Sequence, residues 1–260
     1  MKILTTTSRA LLVCAVGFAV IACSQAGGET NPPVDNAVET AETVSDPVET
    51  ETEAAAPALY DLTARFVDKG IEYGNPDAAV TLVEYASVTC PACAGFHVGV
   101  MPTIKENYVK TGKVKFIFRE FPTPPVQVAL AGFVTARCAG EANHMAVLDD
   151  FFGTQADILN ATRAGQAESA LKQLAARHSV NEASFDGCLA DLDIRRAIAA
   201  SIEAGETDGV NATPTLFLNG EKLGSAEART AEGLSAFIDA ALNAPETSDE
   251  TTIAAPEGEQ

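Results

Sequence analysis

The apolar positions of this chain change period several times, and each change predicts an element. Val80 to Ser87 (VTLVEYAS) is a β-branched and aromatic run, bounded on its left by the turn signal Gly74-Asn75-Pro76-Asp77, and predicts a buried strand. After Thr89-Cys90-Pro91, with proline where the first turn of a helix tolerates it, Phe96, Val100, Ile104 and Tyr108 recur at helical spacing up to Gly112. Lys113 to Phe121 (KVKFIFREF) predicts a second strand, stopped by the proline-rich residues 122–125. A strand, a helix and a strand in this order imply parallel strands with a right-handed crossover.

From Val126 to Gly205 the pattern is helical throughout. Val126, Leu130, Phe133 and Val134 form one apolar stripe, Met145, Leu148, Phe151 and Phe152 the next, and further stripes run to Ile202, which predicts four or five short helices. The chain then returns to β character. Pro214 to Leu218 predicts a strand, Asn219-Gly220 a tight hairpin turn, Lys222 and Leu223 a short returning strand, and Thr230 to Leu242 a closing helix. The fold class is therefore α/β, a split domain over residues 60–125 and 208–243 with an all-helical insertion over residues 126–207.

The two ends do not fit this pattern. Residues 1–22 carry Lys2 and Arg9, no acid, and an apolar stretch from Leu11 to Ala22, which is the layout of a signal peptide. The stretch ends in Val20-Ile21-Ala22-Cys23, which resembles the bacterial lipoprotein box and implies a lipid on Cys23. Residues 24–59 hold eight acids and four prolines but no Lys or Arg, and residues 244–260 hold five acids and no base. Such segments bury too little apolar surface to offset chain entropy, so residues 23–59 are expected to be a disordered acidic linker and residues 244–260 a disordered acidic tail.

Charge takes its meaning from this division. The 260 residues carry 36 acids and 17 bases, a net charge of -19, yet Tyr60 to Asn243 holds 23 acids and 15 bases, a charge of -8. There is no Lys/Arg run to meet a phosphate backbone, so nucleic acid is not an expected partner. Beyond the first two dozen residues no apolar run is long enough to span a bilayer, which excludes a multi-span membrane protein.

Six cysteines remain to be assigned. Cys14 falls in the signal peptide and Cys23 at the lipid site, which leaves Cys90, Cys93, Cys138 and Cys188. Cys90-Pro91-Ala92-Cys93 lies where a strand gives way to a helix. The free N–H groups and dipole of a helix start stabilise a thiolate at the first cysteine, and the second lies one turn along, within reach of a disulfide. Half of a zinc site shows the same spacing, but the strand before it and the helix after it point to redox chemistry. Cys138 and Cys188 lie in apolar helical stripes and could be free thiols, a disulfide or metal ligands, the disulfide being favoured in an exported chain. Glu84 stands in an apolar strand, where a carboxyl group is desolvated unless paired. His97 shares a helical face with Cys90 and is read as a core or surface histidine.

These features together resemble the DsbA-like family of thiol-disulfide oxidoreductases, which have a thioredoxin-like fold with an inserted all-helical domain. The matching residues are Gly74-Asn75-Pro76-Asp77-Ala78, Glu84, Cys90-Pro91-Ala92-Cys93, Phe96-His97, Phe118-Arg119-Glu120-Phe121-Pro122, Thr213-Pro214-Thr215 and Asn219-Gly220, spread over residues 70–243. The resemblance implies that Cys90 and Cys93 are catalytic, with Glu84 beneath them relaying a proton to or from Cys93. It implies a cis Pro214 facing the pair, with Thr213, Pro214, Pro91 and Ala92 as substrate-binding residues, and relatives with an extra bridge imply a structural Cys138–Cys188 disulfide. It also implies a monomer in the periplasm, exported protein thiols as substrates and a membrane partner that resets the pair, with no cofactor and no metal. Pro91-Ala92 departs from the Pro-His of the best-known oxidases, so oxidase and reductase or isomerase directions both stay open. The alternative from a different class is a binding module braced by zinc or by disulfides.

Overall fold

A computed structural model describes residues 59–244. The signal peptide, the lipid site at Cys23, the acidic linker and nearly all of the acidic tail lie outside the described residues.

Six strands form one mixed sheet: β1 (Arg65–Val67), β2 (Gly70–Tyr73), β3 (Val80–Ala86), β4 (Val114–Glu120), β5 (Thr215–Leu218) and β6 (Glu221–Lys222), in the order β1-β2-β4-β3-β5-β6. Strands β3 and β4 pair in parallel from Val80 opposite Val114 to Ala86 opposite Glu120, while the other neighbours are antiparallel. Strand β3 thus lies inside the sheet between β4 and β5. Its alternate residues enter different cores: Val80, Leu82 and Ala86 join the main one with Phe116 and Phe118, while Val83 and Tyr85 join a small one with Ile117, Phe121 and Phe217. This is the two-residue period of a strand covered on both faces.

The hairpin β1–β2 precedes what the pattern marks as the first strand. Its strands are three and four residues long around Asp68-Lys69, too short for alternation to register above the turn signal that follows.

The helix after Cys90 also departs from expectation. One continuous helix is predicted to Gly112, but the chain forms α1 (Pro91–Gly99), a break at Val100, α2 (Met101–Ile104) and a π-helical turn over Lys105–Val109. Pro102 has no N–H to give to a carbonyl one turn back, so the ladder is interrupted there and resumes with a wider register, Lys110 N–H to Lys105 O at 2.9 Å. Apolar spacing survives the break because Val100, Ile104 and Tyr108 still face the core.

Between β4 and β5 the chain forms six helices rather than four or five. They are α3 (Val126–Cys138), α4 (His144–Gly153), α5 (Gln155–Arg163), α6 (Ala167–Arg177), α7 (Glu182–Ala190) and α8 (Leu192–Thr207), and α9 (Ala231–Leu242) closes the fold. Asn181, Asp191 and Thr230 cap α7, α8 and α9 by accepting from backbone N–H groups of the first turn. Cys138 at the end of α3 is disulfide-bonded to Cys188 in α7. The returning strand β6 is Glu221–Lys222, one residue earlier than the pattern places it, because Asn219 and Gly220 both take positive φ and close a two-residue turn.

Polar groups buried between helices and sheet define how the two parts meet. Arg137 of α3 grips Glu120 at the end of β4 with two bonds, Nε to Oε1 at 2.5 Å and Nη2 to Oε2 at 3.0 Å, and both residues are buried. The Glu120 N–H donates to Ser201 Oγ of α8 at 2.8 Å. Beside this pair the Tyr73 hydroxyl meets His144 Nδ1 at 2.5 Å, and burial pushes the imidazole down to about 3, which keeps it neutral.

Breaking the Arg137–Glu120 pair should leave an uncompensated charge in the core. The expected outcome for Arg137→Met is a loss of about 3–5 kcal/mol in denaturant unfolding, with most of it recovered in the double variant Glu120→Leu, Arg137→Met.

Candidate active site

The site forms where β3 ends. After Ala86 the chain turns through Ser87-Val88-Thr89, with the Cys90 N–H bonded to Ser87 O at 3.0 Å. Cys90 takes an extended conformation (φ -86°, ψ 119°) as the residue before α1, and Pro91 occupies the first helical position. Proline costs nothing there because that N–H would have no helical partner.

The loop is fastened by hydroxyl groups. Ser87 Oγ and Thr89 Oγ1 lie 2.9 Å apart, Ser87 Oγ accepts from the Thr123 N–H at 3.0 Å, and Thr89 Oγ1 donates to Thr123 O at 2.8 Å. Thr123 in turn precedes a cis Pro124-Pro125 bond. From the helical insertion, Gln155 Nε2 donates to Val88 O at 2.7 Å and to Cys90 O at 3.0 Å. None of Ser87, Thr89, Thr123 and Gln155 stands out in the sequence, since each is a common polar residue with no periodicity to mark it.

Thr213 and Pro214 approach from the far end of β5. Their peptide bond is cis, and Thr213 O lies 3.3 Å from Cys90 Sγ, accepting from the thiol. The bend is held by Thr215 Oγ1, which donates to Ala212 O at 2.7 Å, and by Arg229 Nη2, which donates to Pro214 O at 3.3 Å. The Thr213 hydroxyl is buried and has no hydrogen-bond partner. Pro91 and Ala92 are exposed beside Cys90.

The two thiols, both free here, are electrostatically unlike. Cys90 is held down to about 5. The largest cause is the hydrogen bond from Cys93, followed, against the opposing effect of burial, by the otherwise unpartnered hydroxyl of Thr213, free to turn toward a thiolate, and by the backbone N–H groups of Cys93 and Ala92. All of these favour a thiolate. Cys93 is pushed strongly upward, first by burial, then because its hydrogen serves Cys90, then by the charge of Glu84. Cys90 is also the more accessible, 9 % exposed against 0 % for Cys93. An incoming sulfur therefore meets Cys90.

Glu84 lies on the main-core side of β3 and is fully buried. Its Oε2 is 2.9 Å from His97 Nε2 on α1, and His97 stacks on Phe152 with ring centroids 4.0 Å apart. Glu84 Oε1 and His97 Nδ1 have no partner. The histidine that the sequence places on the same helical face as Cys90 is thus a core residue and the partner of Glu84, a pairing that needs β3 and α1 in contact to be seen. Cys138 and Cys188 are bonded to each other, so the four core cysteines cannot serve together as ligands of one zinc ion.

Three comparisons place this geometry among known proteins. A family model described as thioredoxin matches residues 67–240. The chain is similar to a protein of Rickettsia bellii named "Putative protein-disulfide oxidoreductase", 27% identical over 184 residues, which cover 70% of this chain and 68% of that one. Among solved structures, Wolbachia pipientis alpha-DsbA1 aligns with a TM-score of 0.58 at 26% identity, covering 66% of this chain and 89% of its own. Oxidised BdbD from Bacillus subtilis shares the fold with a TM-score of 0.54 at 18% identity, covering 73% of this chain and 100% of its own. The chain belongs to the thioredoxin family and has the DsbA-like form of its fold, with a helical insertion between β4 and β5.

Proposed function

We propose that this protein is a thiol-disulfide oxidoreductase that oxidises the thiols of exported proteins through Cys90 and Cys93. The observation that carries the direction is the contrast between the two sulfurs, a Cys90 thiolate stabilised from several sides above a Cys93 thiol that resists ionisation. Stabilising the reduced form makes the disulfide form a stronger oxidant.

In this reading the substrate thiolate attacks Cys90 Sγ in the Cys90–Cys93 disulfide. The enzyme S–S bond breaks, a mixed disulfide forms, and Cys93 leaves with the electron pair. The same surroundings that push the Cys93 thiol up make it take a proton, and Glu84 is the buried carboxyl group that passes it through Oε1 while His97 holds Oε2. A second substrate thiolate then attacks the substrate sulfur of the mixed disulfide. Cys90 departs as a thiolate, its low proton affinity making it a good leaving group. The substrate has lost two electrons and the enzyme holds a dithiol, which a membrane partner reoxidises. Thr213 and Pro214 offer backbone to an extended substrate strand, and exposed Pro91 and Ala92 line its path. Cys138–Cys188 braces α3 against α7 and takes no part in the exchange.

The protein works in the periplasm as a monomer, tethered by a lipid on Cys23 through the acidic linker. Among the described residues no helix is long and apolar enough to cross a membrane, and the tether supplies the membrane attachment.

Thiolate absorbance of the reduced protein should titrate near pH 5, and Cys93→Ala, which removes the principal donor, should raise that midpoint toward the ordinary thiol value of 9.0. A wild-type midpoint near 9 would point to the reductase direction or to a binding role. The sign of the linkage gives a second outcome. Because the folded value lies below the unfolded one, the reduced form gains stability as pH rises from about 5 to 9.0 and loses it as pH falls through that window, a gain the disulfide form lacks. Denaturant unfolding of both forms across that range measures it. For the tether, Cys23→Ser should move the protein from the membrane to the soluble fraction, and unchanged membrane association would count against the lipid.

A further inference from the structure

The helical insertion reaches the turn that leads into the redox helix with a buried carboxamide. Gln155 is the first residue of α5 and is 5 % exposed. Both of its N–H groups are committed, one to Val88 O and one to Cys90 O, so the side chain spans two of the peptide groups that lead into the redox helix. Cys90 O also accepts the Ala94 N–H at 3.1 Å, the first bond of that helix. A second contact from the insertion presses on the same loop. A Cβ at Gly132 of α3 would lie 2.8 Å from Val88 Cγ2 and 2.6 Å from the Phe151 ring, so α3 seats against Val88 only because that residue is glycine. Thr123, three residues before α3, holds Ser87 and Thr89.

Few side chains could replace this one. An amide nitrogen gives two donors in a fixed plane and carries no charge, which suits two buried carbonyl oxygens. An apolar residue would take a donor from each carbonyl, and a carboxylate would set acceptor against acceptor. If the peptide groups around Cys90 rotate, its sulfur moves relative to the N–H groups of Ala92 and Cys93, which are fixed in the helix.

We propose that Gln155 is a positioning residue for Cys90, through which the helical insertion sets the reactivity of the attacking sulfur. The inference rests on the reading of Cys90 as that sulfur. The thiolate-stabilising groups around Cys90 support it, because hydrogen bonds from the backbone N–H groups of Cys93 and Ala92 weaken steeply as distance and angle change.

The test uses the full chain with Gln155→Leu and with Gln155→Asn, which keeps an amide but shortens its reach by one methylene. Asp150→Asn is the control, since it loosens the same insertion by weakening the hold on Arg177 and His178 away from the loop. Both Gln155 variants should raise the Cys90 midpoint, read from the pH dependence of alkylation, by about one unit, a tenfold fall in the thiolate-to-thiol ratio at a given pH. Their equilibrium with glutathione should shift by about tenfold toward the enzyme disulfide. Asp150→Asn should lower the melting temperature and leave both readouts unchanged. Gln155 variants that only melt earlier, with midpoint and glutathione equilibrium within about twofold of wild type, would overturn the proposal, and Gln155→Asn decides it if Gln155→Leu does not fold. A wild-type Cys90 with an ordinary thiol midpoint would overturn the proposal together with the reading it rests on.

Discussion

A strand buried on both faces is the constraint from which the rest of this structure follows. Strand β3 pairs with β4 on one side and β5 on the other, and its side chains enter two separate cores. Helices must therefore cover it, and the turn Ser87-Val88-Thr89 that follows it leads the chain out at a rim. Cys90 stands at the end of that turn, and its place at the start of α1 is a consequence of the parallel crossover from β3 to β4. The antiparallel pairing with β5 brings the other half of the site, because Tyr85 opposite Thr215 sets Thr213 and Pro214 next to the turn where β3 ends.

The same burial explains the polar groups beneath the site. A carboxyl group on the main-core side of β3 has no water, so Glu84 must find a partner, and α1 supplies His97. Where the insertion meets the sheet, Glu120 is matched by Arg137 and the Tyr73 hydroxyl by His144. Such pairs add little net stability relative to apolar packing, but each costs a great deal if separated, so they fix how the insertion docks on the sheet. The docking in turn carries Gln155 to the loop, and the chemistry of Cys90 depends on helices far along the chain.

The two cysteines show how strongly placement outweighs identity. Both are thiols on one helix turn, yet one is drawn toward ionisation and the other away from it. The difference comes from a hydrogen shared in one direction, from helix N–H groups that reach only the first, and from burial and a carboxylate that act on the second. In the proposed exchange this asymmetry lets Cys93 leave and take a proton in the first step and Cys90 depart as a thiolate in the second.

Periodicity alone determined the strands β3, β4 and β5, the closing helix and the helical character of residues 126–207, because a long element that buries one side must repeat its apolar residues at a fixed interval. The Cys90-Pro91-Ala92-Cys93 spacing and the strand-to-helix context determined where the chemistry lies, since both are local. The hairpin β1–β2 was hidden because short strands carry no period, and the break at Val100 because apolar spacing continued across it. The Cys138–Cys188 bridge that the resemblance implies is present, but only the tertiary structure decided the other partners: His97 for Glu84, Arg137 for Glu120, and Gln155 for the carbonyls of Val88 and Cys90. Hydrogen bonds and disulfides depend on the distance between atoms in space, and residues tens of positions apart in sequence meet only when the sheet and helices have packed.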